Sequence, residues 1–403
     1  MLPMAKKLRV HSLTGRITPE LMARAFKNVK RNHGSKGLDG VSIEMFNANM
    51  EQNLAKLMRE LKDRSYQPSP LKRVYIPKDL SKNPKLRPLG IPAVRCRCAQ
   101  EVVRMLLNPI FDQTFHPMSF GFRPGRNCHQ AISQVKKYLD DGYKWVVDAD
   151  IKGFFDNIPH DVIMEKVSAE VADGNILNLI RKFLRSGVME EGVLKPTIKG
   201  TPQGGVISPL LANITLNELD WALEDQGYKF VRYADDFVIL CRSKDEADKA
   251  LLFVKHIIED KLRLELSKEK TKIAHLSDSF NFLGFTFKHR SLKMCDKAVE
   301  KFKDRIRNAT IRCHNLDKKA IERLNRIIRG TTNYFVLPYA TVRDQLHRLD
   351  KWIRMRIRCM KYKEINKLNN TKMKDKTIHS KMGLLSCFRL YLAAKSGVSY
   401  SPT

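Results

Sequence analysis

The segment FVRYADDFVIL, residues 230–240, sets two adjacent aspartates, Asp235 and Asp236, between two strings of apolar residues. The flanks read as the paired strands of a hairpin with Ala-Asp-Asp at its tip. An Asn-Gly or Asp-Gly pair would close such a hairpin more comfortably. Two neighbouring carboxylates repel unless a cation lies between or beside them. The pair therefore reads as selected for its charge.

A second acidic cluster lies upstream in WVVDADIKGFFDNIPH, residues 145–160. Asp150 ends an apolar strand, Asp148 lies two residues earlier on the same face, and Asp156 falls beyond Gly153. If the two strands are neighbours in one sheet, Asp150 converges with Asp235 and Asp236. Three such carboxylates suit Mg²⁺, which takes hard oxygen ligands and leaves room for water and phosphate. Two ions about 3.5–4 Å apart would activate a hydroxyl and hold the leaving oxygen of an in-line phosphoryl displacement.

The rest of the chain is basic. Its 403 residues carry 74 Lys and Arg against 43 Asp and Glu, a net charge of +31 and a pI near 9.9. Such a field attracts polyanions, nucleic acid or anionic membrane. No apolar run reaches the roughly 18 residues of a membrane span, and MLPMAKKLRVH has no apolar signal core, so nucleic acid is the expected partner and no membrane is expected. Eight cysteines without a C-x-x-C pair exclude a zinc finger and a disulfide scaffold, and read as reduced core fillers in a cytoplasmic, nucleoid-associated protein. Residues 301–403 hold 25 Lys and Arg against 7 Asp and Glu, a separate basic body.

Length allows two or three domains. Residues 17–62 read as helices around the turn GSKGLDG, residues 71–92 as two short strands about a Lys-rich turn, and residues 93–111 as a helix. The strands that matter are residues 145–151, 230–233, 237–241 and 280–287. Beyond about Ser291 the strands should stop, and residues 301–369 read as basic helices. The pattern to Phe287 is one mixed α+β unit.

These residues resemble the ordered motif set of reverse transcriptases, most closely those encoded by bacterial group II introns. Tyr233-Ala234-Asp235-Asp236 matches the family's palm hairpin and DADIKGFFDNI its first palm motif. KGTPQGGVISPLLANITLNELD, residues 199–220, resembles its Gln-Gly loop and following helix. KLRPLGIP, SFGFRPGRNCHQA, LRLELSKEKTKI and FNFLGFTF appear in family order. Seven motifs in order are far more specific than one tetrapeptide.

The resemblance implies an α+β right-hand polymerase, with fingers and an antiparallel palm sheet followed by a helical thumb. Asp150, Asp235 and Asp236 align with the catalytic carboxylates, and the Ile151 carbonyl would complete the metal shell for two Mg²⁺, with Mn²⁺ as a substitute. Phe155 stands where the family places the aromatic gate against a ribose 2′-hydroxyl, although only one of Phe154 and Phe155 can face the site. Lys78 and Arg87 resemble triphosphate ligands on the fingers. Gln203 would line the nucleotide pocket, with Gly204 at a close approach to the template. Lys270 or Lys272 would protonate leaving pyrophosphate. Arg123 and Arg126 suit template phosphates, and Gly284 lies in a segment resembling the primer grip, or an ordinary edge hairpin.

NRIIRGTTNYF resembles the thumb, or maturase domain. Residues 346–363 follow as a helix with Leu346, Leu349, Ile353 and Ile357 on one face, while Arg354, Arg356 and Arg358 cluster to meet phosphate. The expected division is a helical N-terminal extension (1–65), fingers and palm (66–295), thumb or maturase domain (296–370) and a basic C-terminal extension that could bind DNA (371–403). No Cys/His nuclease module follows, so an endonuclease domain is expected to be missing. The implied function is RNA-directed DNA polymerase, a nucleotidyltransferase acting on dNTPs, a DNA primer or target and an RNA template. It would also bind its intron RNA in splicing and retrohoming, with room for a homodimer. The rivals are a gene-diversifying or phage-defence reverse transcriptase, a splicing-only maturase and an RNA-directed RNA polymerase.

Overall fold

The computed structural model describes residues 9–77, 86–201, 204–364 and 369–400. The chain divides into two compact units, which among the described residues meet in sequence between Ile273 and Ala274.

The first unit opens with helices Pro19–Arg31, Ile43–Ala48 and Met50–Lys62. Thr18 caps the first of them, accepting from the Leu21 amide with Pro19 in the first turn. That helix buries Met22, Ala25, Phe26 and Val29, the three- and four-residue spacing of one face. Strands β1 (Leu71–Pro77) and β2 (Leu86–Ile91) pair antiparallel, with Ile76 opposite Arg87. The helix Val94–Asp112 follows.

Strand β3 (Trp145–Asp150) enters the central sheet. Two short strands that the sequence reading missed, β4 (Val188–Glu190) and β5 (Val193–Lys195), extend the β1–β2 sheet. Each has only three residues, too few to show a period of two. The helix Ser208–Asp225 leads to β6 (Lys229–Tyr233) and β7 (Asp236–Cys241). With β8 (Lys272–His275) the central sheet runs β6-β7-β3-β8. Val146, Val147, Phe230, Val231 and residues 237–241 are all buried in it.

In the second unit, residues 280–287 form two strands rather than one. β9 (Phe280–Phe282) and β10 (Phe285–Lys288) are joined by Leu283 and Gly284, both in the left-handed region at φ 48° and 81°. This is the backbone of a two-residue hairpin turn. β11 (Ser291–Met294) completes the sheet, so strand structure runs slightly past the expected limit. Helices Asp296–Ala309, Lys318–Phe335, Arg343–Tyr362 and Cys387–Ser396 then dominate. The buried Asp350 carboxylate accepts from the Ser386 hydroxyl and from the Cys387 and Phe388 amides, holding the start of the last of these.

All eight cysteines are free thiols, six of them buried, as the core-filler reading requires. Burial pushes the thiols of Cys98 and Cys241 up to about 12. Among the described residues no helix is long and apolar enough to cross a membrane.

Candidate active site

The hairpin turn is tighter than the sequence suggested. Tyr233 pairs directly with Asp236, so Asp236 already belongs to β7 and only Ala234 and Asp235 form the turn. Ala234 has φ 61°, a region that crowds any Cβ.

β3 lies against β7 with Asp150 opposite Asp236, and the three expected carboxylates are thus brought to one end of one sheet. Desolvation at the crowded sheet end, then the charges of Asp148, Asp235 and Asp150, push Asp236 up to about 7. Burial lifts Asp148 to about 6, against the pull of Lys272. Asp235 is raised mainly by burial and further by Asp150, while Arg87 and Lys270 act in the opposite direction. Arg87, exposed on β2, therefore lies within the field of the Ala234-Asp235 turn.

The two lysines between which the sequence could not choose both reach these acids. Lys270 Nζ donates to both oxygens of Asp150, at 2.9 and 3.1 Å, and Lys272 Nζ lies 3.9 Å from Asp148. Among the described residues no three His, Cys, Asp or Glu side chains stand as a ready ligand set for a metal; the cation on Asp150 is the Lys270 ammonium.

Ile151 is buried and bridges Leu266, and the Ser267 amide donates to the Asp150 carbonyl at 2.8 Å, so the end of β3 is held on both sides. Phe154 takes the core position and Phe155 is only half-buried, its carbonyl accepting from Thr201. Phe155 is thus the one of the pair left for a ligand. Lys78 and Gln203 lie outside the described residues. Gly204, at φ 106°, faces the Gly90 carbonyl, where a Cβ would come within 2.5 Å. Its need for glycine is met by this internal approach to β2.

Arg123 corrects the sequence expectation. Its side chain turns inward, Nε donating to Asp112 Oδ1, Nη1 to the carbonyls of His116 and Ser119, and Nη2 to the Asp112 carbonyl. With its donors committed it braces a loop instead of presenting a cation to template. Arg126 stays exposed, stacked over Phe120.

The arginines of the second unit differ in the same way. Arg358 is buried, bound to the Met373 carbonyl and Asp375; Arg354 pairs with Asp375 at 3.0 Å; Arg356 donates to Thr310. All three fasten the unit internally, because this stretch of the helix lies against the segments that carry Thr310, Met373 and Asp375. The exposed basic stripe lies instead on the helix Lys318–Phe335, where Lys319, Arg323, Arg326 and Arg329 follow at three- and four-residue steps. Gly284 abuts Phe335 in this unit, and the Tyr334 hydroxyl donates to the Leu283 carbonyl.

Sequence reasoning missed Arg232, wholly buried and paired with Asp220. The available signal was a charged residue within an apolar strand, which must find a partner when buried. An open cleft of about 1200 Å³ beside the end of β3, lined by Lys152, His160, Arg185, Lys199 and Arg263 among others, contains none of Asp150, Asp235 and Asp236.

The family described as reverse transcriptase (RNA-dependent DNA polymerase) matches residues 76–287. The chain belongs to that family. A group II intron maturase-specific domain matches residues 299–378. Protein YkfC of Escherichia coli K12 is 36% identical over 318 residues, covering 69% of this chain and 83% of that protein. The group II intron-encoded protein LtrA of Lactococcus lactis is 33% identical over 338 residues, covering 68% of this chain but only 56% of LtrA. Telomerase from Candida albicans has a TM-score of 0.46 at 12% identity over 88% of this chain and 67% of its own, too distant to bear on function. The α+β palm and helical second unit are the right-hand reverse transcriptase fold.

Reverse transcriptases generally use divalent metal ions, and the carboxylates at this sheet end, which do not stand as a ready ligand set, have the donor chemistry that such an ion takes. Asp150, Asp235 and Asp236 supply hard oxygens, and crowded carboxylates that repel one another are stabilised by an added cation.

Proposed function

We propose that the chain extends a DNA primer on an RNA template, incorporating dNTPs at Asp150, Asp235 and Asp236. The observation that carries this reading is the placement of Asp150 opposite Asp236, with Asp235 in the adjoining turn. Bound there, two Mg²⁺ ions, or Mn²⁺ in their place, would activate the primer 3′-hydroxyl and offset charge on the leaving pyrophosphate. The Ile151 carbonyl is a further oxygen at the same strand end. Arg87, with Lys78 and Gln203, would hold the incoming triphosphate and base. Phe155 would restrict the sugar, and Lys270 would give its proton to pyrophosphate once displaced from Asp150. Arg126 and the stripe on Lys318–Phe335 would contact template and primer phosphates.

In this reading residues 1–65 extend the fingers and palm of 66–295, residues 296–370 serve as thumb and maturase domain, and 371–403 as a DNA-binding extension. The maturase-specific match favours group II intron RNA as partner, bound to assist splicing and retrohoming. Primer extension on an RNA template with dNTPs and Mg²⁺, comparing the wild type with Asp235→Ala, tests the polymerase. Full-length cDNA from the wild type alone is the expected result. Absence of product from both, with tight intron binding and splicing retained, would replace it with a splicing-only maturase.

A further inference from the structure

Why does an alanine hold a left-handed backbone at the catalytic turn, where glycine or asparagine would be cheaper? The surroundings of Arg232 supply the reason. Its guanidinium has no solvent exposure and is shared among three partners. Nε donates to Asp220 Oδ1 at 2.7 Å and Nη2 to Asp220 Oδ2, while Nη1 donates at 2.9 Å both to Asn213 Oδ1 and to the Ala234 carbonyl. Asn213 in turn donates to the Gly121 carbonyl at 2.8 Å. Gly121 packs so closely that a Cβ there would overlap the Ala234 nitrogen. The main chain of Arg232 is held too, its amide donating to the Met118 carbonyl and its carbonyl accepting from Phe120. Arg123 braces that same loop through the carbonyls of His116 and Ser119.

We propose that Arg232 is a positioning residue for catalysis: a buried clamp, with Asp220 and Asn213, that fixes the Ala234 carbonyl and so aims Asp235 and Asp236 at Asp150. Asn213 and Asp220 lie on the helix Ser208–Asp225, which directly follows the Gln-Gly loop. One guanidinium therefore ties the catalytic turn to the helix that follows the Gln-Gly segment in sequence. A planar fork is needed, since a lysine ammonium cannot span a bidentate carboxylate and two carbonyl-type oxygens at once. The kinetic part of this inference rests on the polymerase reading above.

The test compares Arg232→Lys, and the milder Asn213→Ala, with Leu179→Ala, a buried residue of the helix Gly174–Leu184 outside the clamp. Steady-state primer extension is measured well below each variant's Tm, alongside amide exchange of residues 233–236 by mass spectrometry without metal. Arg232→Lys is expected to lower kcat at least about tenfold with dNTP KM nearly unchanged, to raise the half-saturating Mg²⁺ concentration, and to speed exchange at the turn. Asn213→Ala should do the same more weakly, and Leu179→Ala should lower Tm only. Arg232→Lys with wild-type kcat, or with wild-type exchange at the turn, would overturn the clamp. If the wild type extends no primer, the polymerase reading fails, and turn exchange alone decides whether Arg232 holds Ala234 in place.

Discussion

Asp150 stands opposite Asp236 across the β3–β7 pair, and the Lys270 ammonium rests on the Asp150 carboxylate. Opposite residues of antiparallel strands have Cα atoms about 4.5–5.5 Å apart. The backbone ladder alone therefore sets the spacing of these two acids. In metal-free protein the arrangement is electrostatically costly, as the raised Asp236 indicates.

Asp236→Asn should accordingly stabilise the protein in EDTA while abolishing useful catalysis. Removing a desolvated charge crowded by three other acids is expected to raise Tm by about 2–4 °C. Primer extension should fall about a thousandfold, the equivalent of several kcal/mol of lost charge stabilisation. Calorimetry in EDTA and single-turnover extension measure the two effects separately.

Lys270→Ala should tighten metal binding and slow turnover at once. The lysine competes with a cation for Asp150, and its ion pair is partly exposed, so its worth is about 1 kcal/mol or less. Half-saturating Mg²⁺ should therefore drop, by up to about fivefold, while kcat falls through loss of the proton donor to pyrophosphate. A Mg²⁺ titration of extension rate reads both, and an unchanged kcat would remove Lys270 from acid catalysis.

Phe155→Ala should raise ribonucleotide incorporation relative to deoxyribonucleotide, with little loss of dNTP use. Phe155 is the half-buried partner of core Phe154, at 5.4 Å between ring centroids, so its truncation spares the core. Unchanged rNTP incorporation would argue that Phe155 only packs.

The exposed and buried arginines of the second unit should separate cleanly. Arg326→Ala with Arg329→Ala is expected to lower the slope of log affinity for duplex against log salt by about 2, one unit per phosphate contact. Arg358→Ala should lower Tm and leave that slope unchanged, because its guanidinium is spent on Met373 and Asp375.

His116 gives the first unit a pH dependence. It is buried beside Trp221 and Phe230, its Nδ1 accepting from the Met118 amide. Burial lowers its pKa, against the pull of Asp220 and Glu224. The folded state thus binds fewer protons than the unfolded one. Its contribution to stability is whole above the ordinary histidine value of about 6.5 and is lost as pH falls below it. Tm measured from pH 8 to pH 5 should drop more steeply for the wild type than for His116→Gln; parallel curves would contradict this.

The sequence alone determined the chemistry and most of the elements. Acidic residues at strand ends, apolar alternation in residues 145–151 and 237–241, and the motif order are local properties, written in spacing and residue type. It could not locate a three-residue strand such as β4, nor tell Phe154 from Phe155, since adjacent residues differ only in which way the folded backbone turns them. Charge was the least legible feature. A guanidinium reads the same in sequence whether it faces phosphate, as Arg326 can, or lies inside against carbonyls and carboxylates, as Arg123, Arg232 and Arg358 do. Only tertiary structure decided that, because burial and the partners that make it affordable come from segments distant in the chain. The Ala234 turn shows the same division: its acids are evident in the sequence, and its geometry is held by residues 14 to 113 positions away, Asp220 and Asn213 on one side and Gly121 on the other.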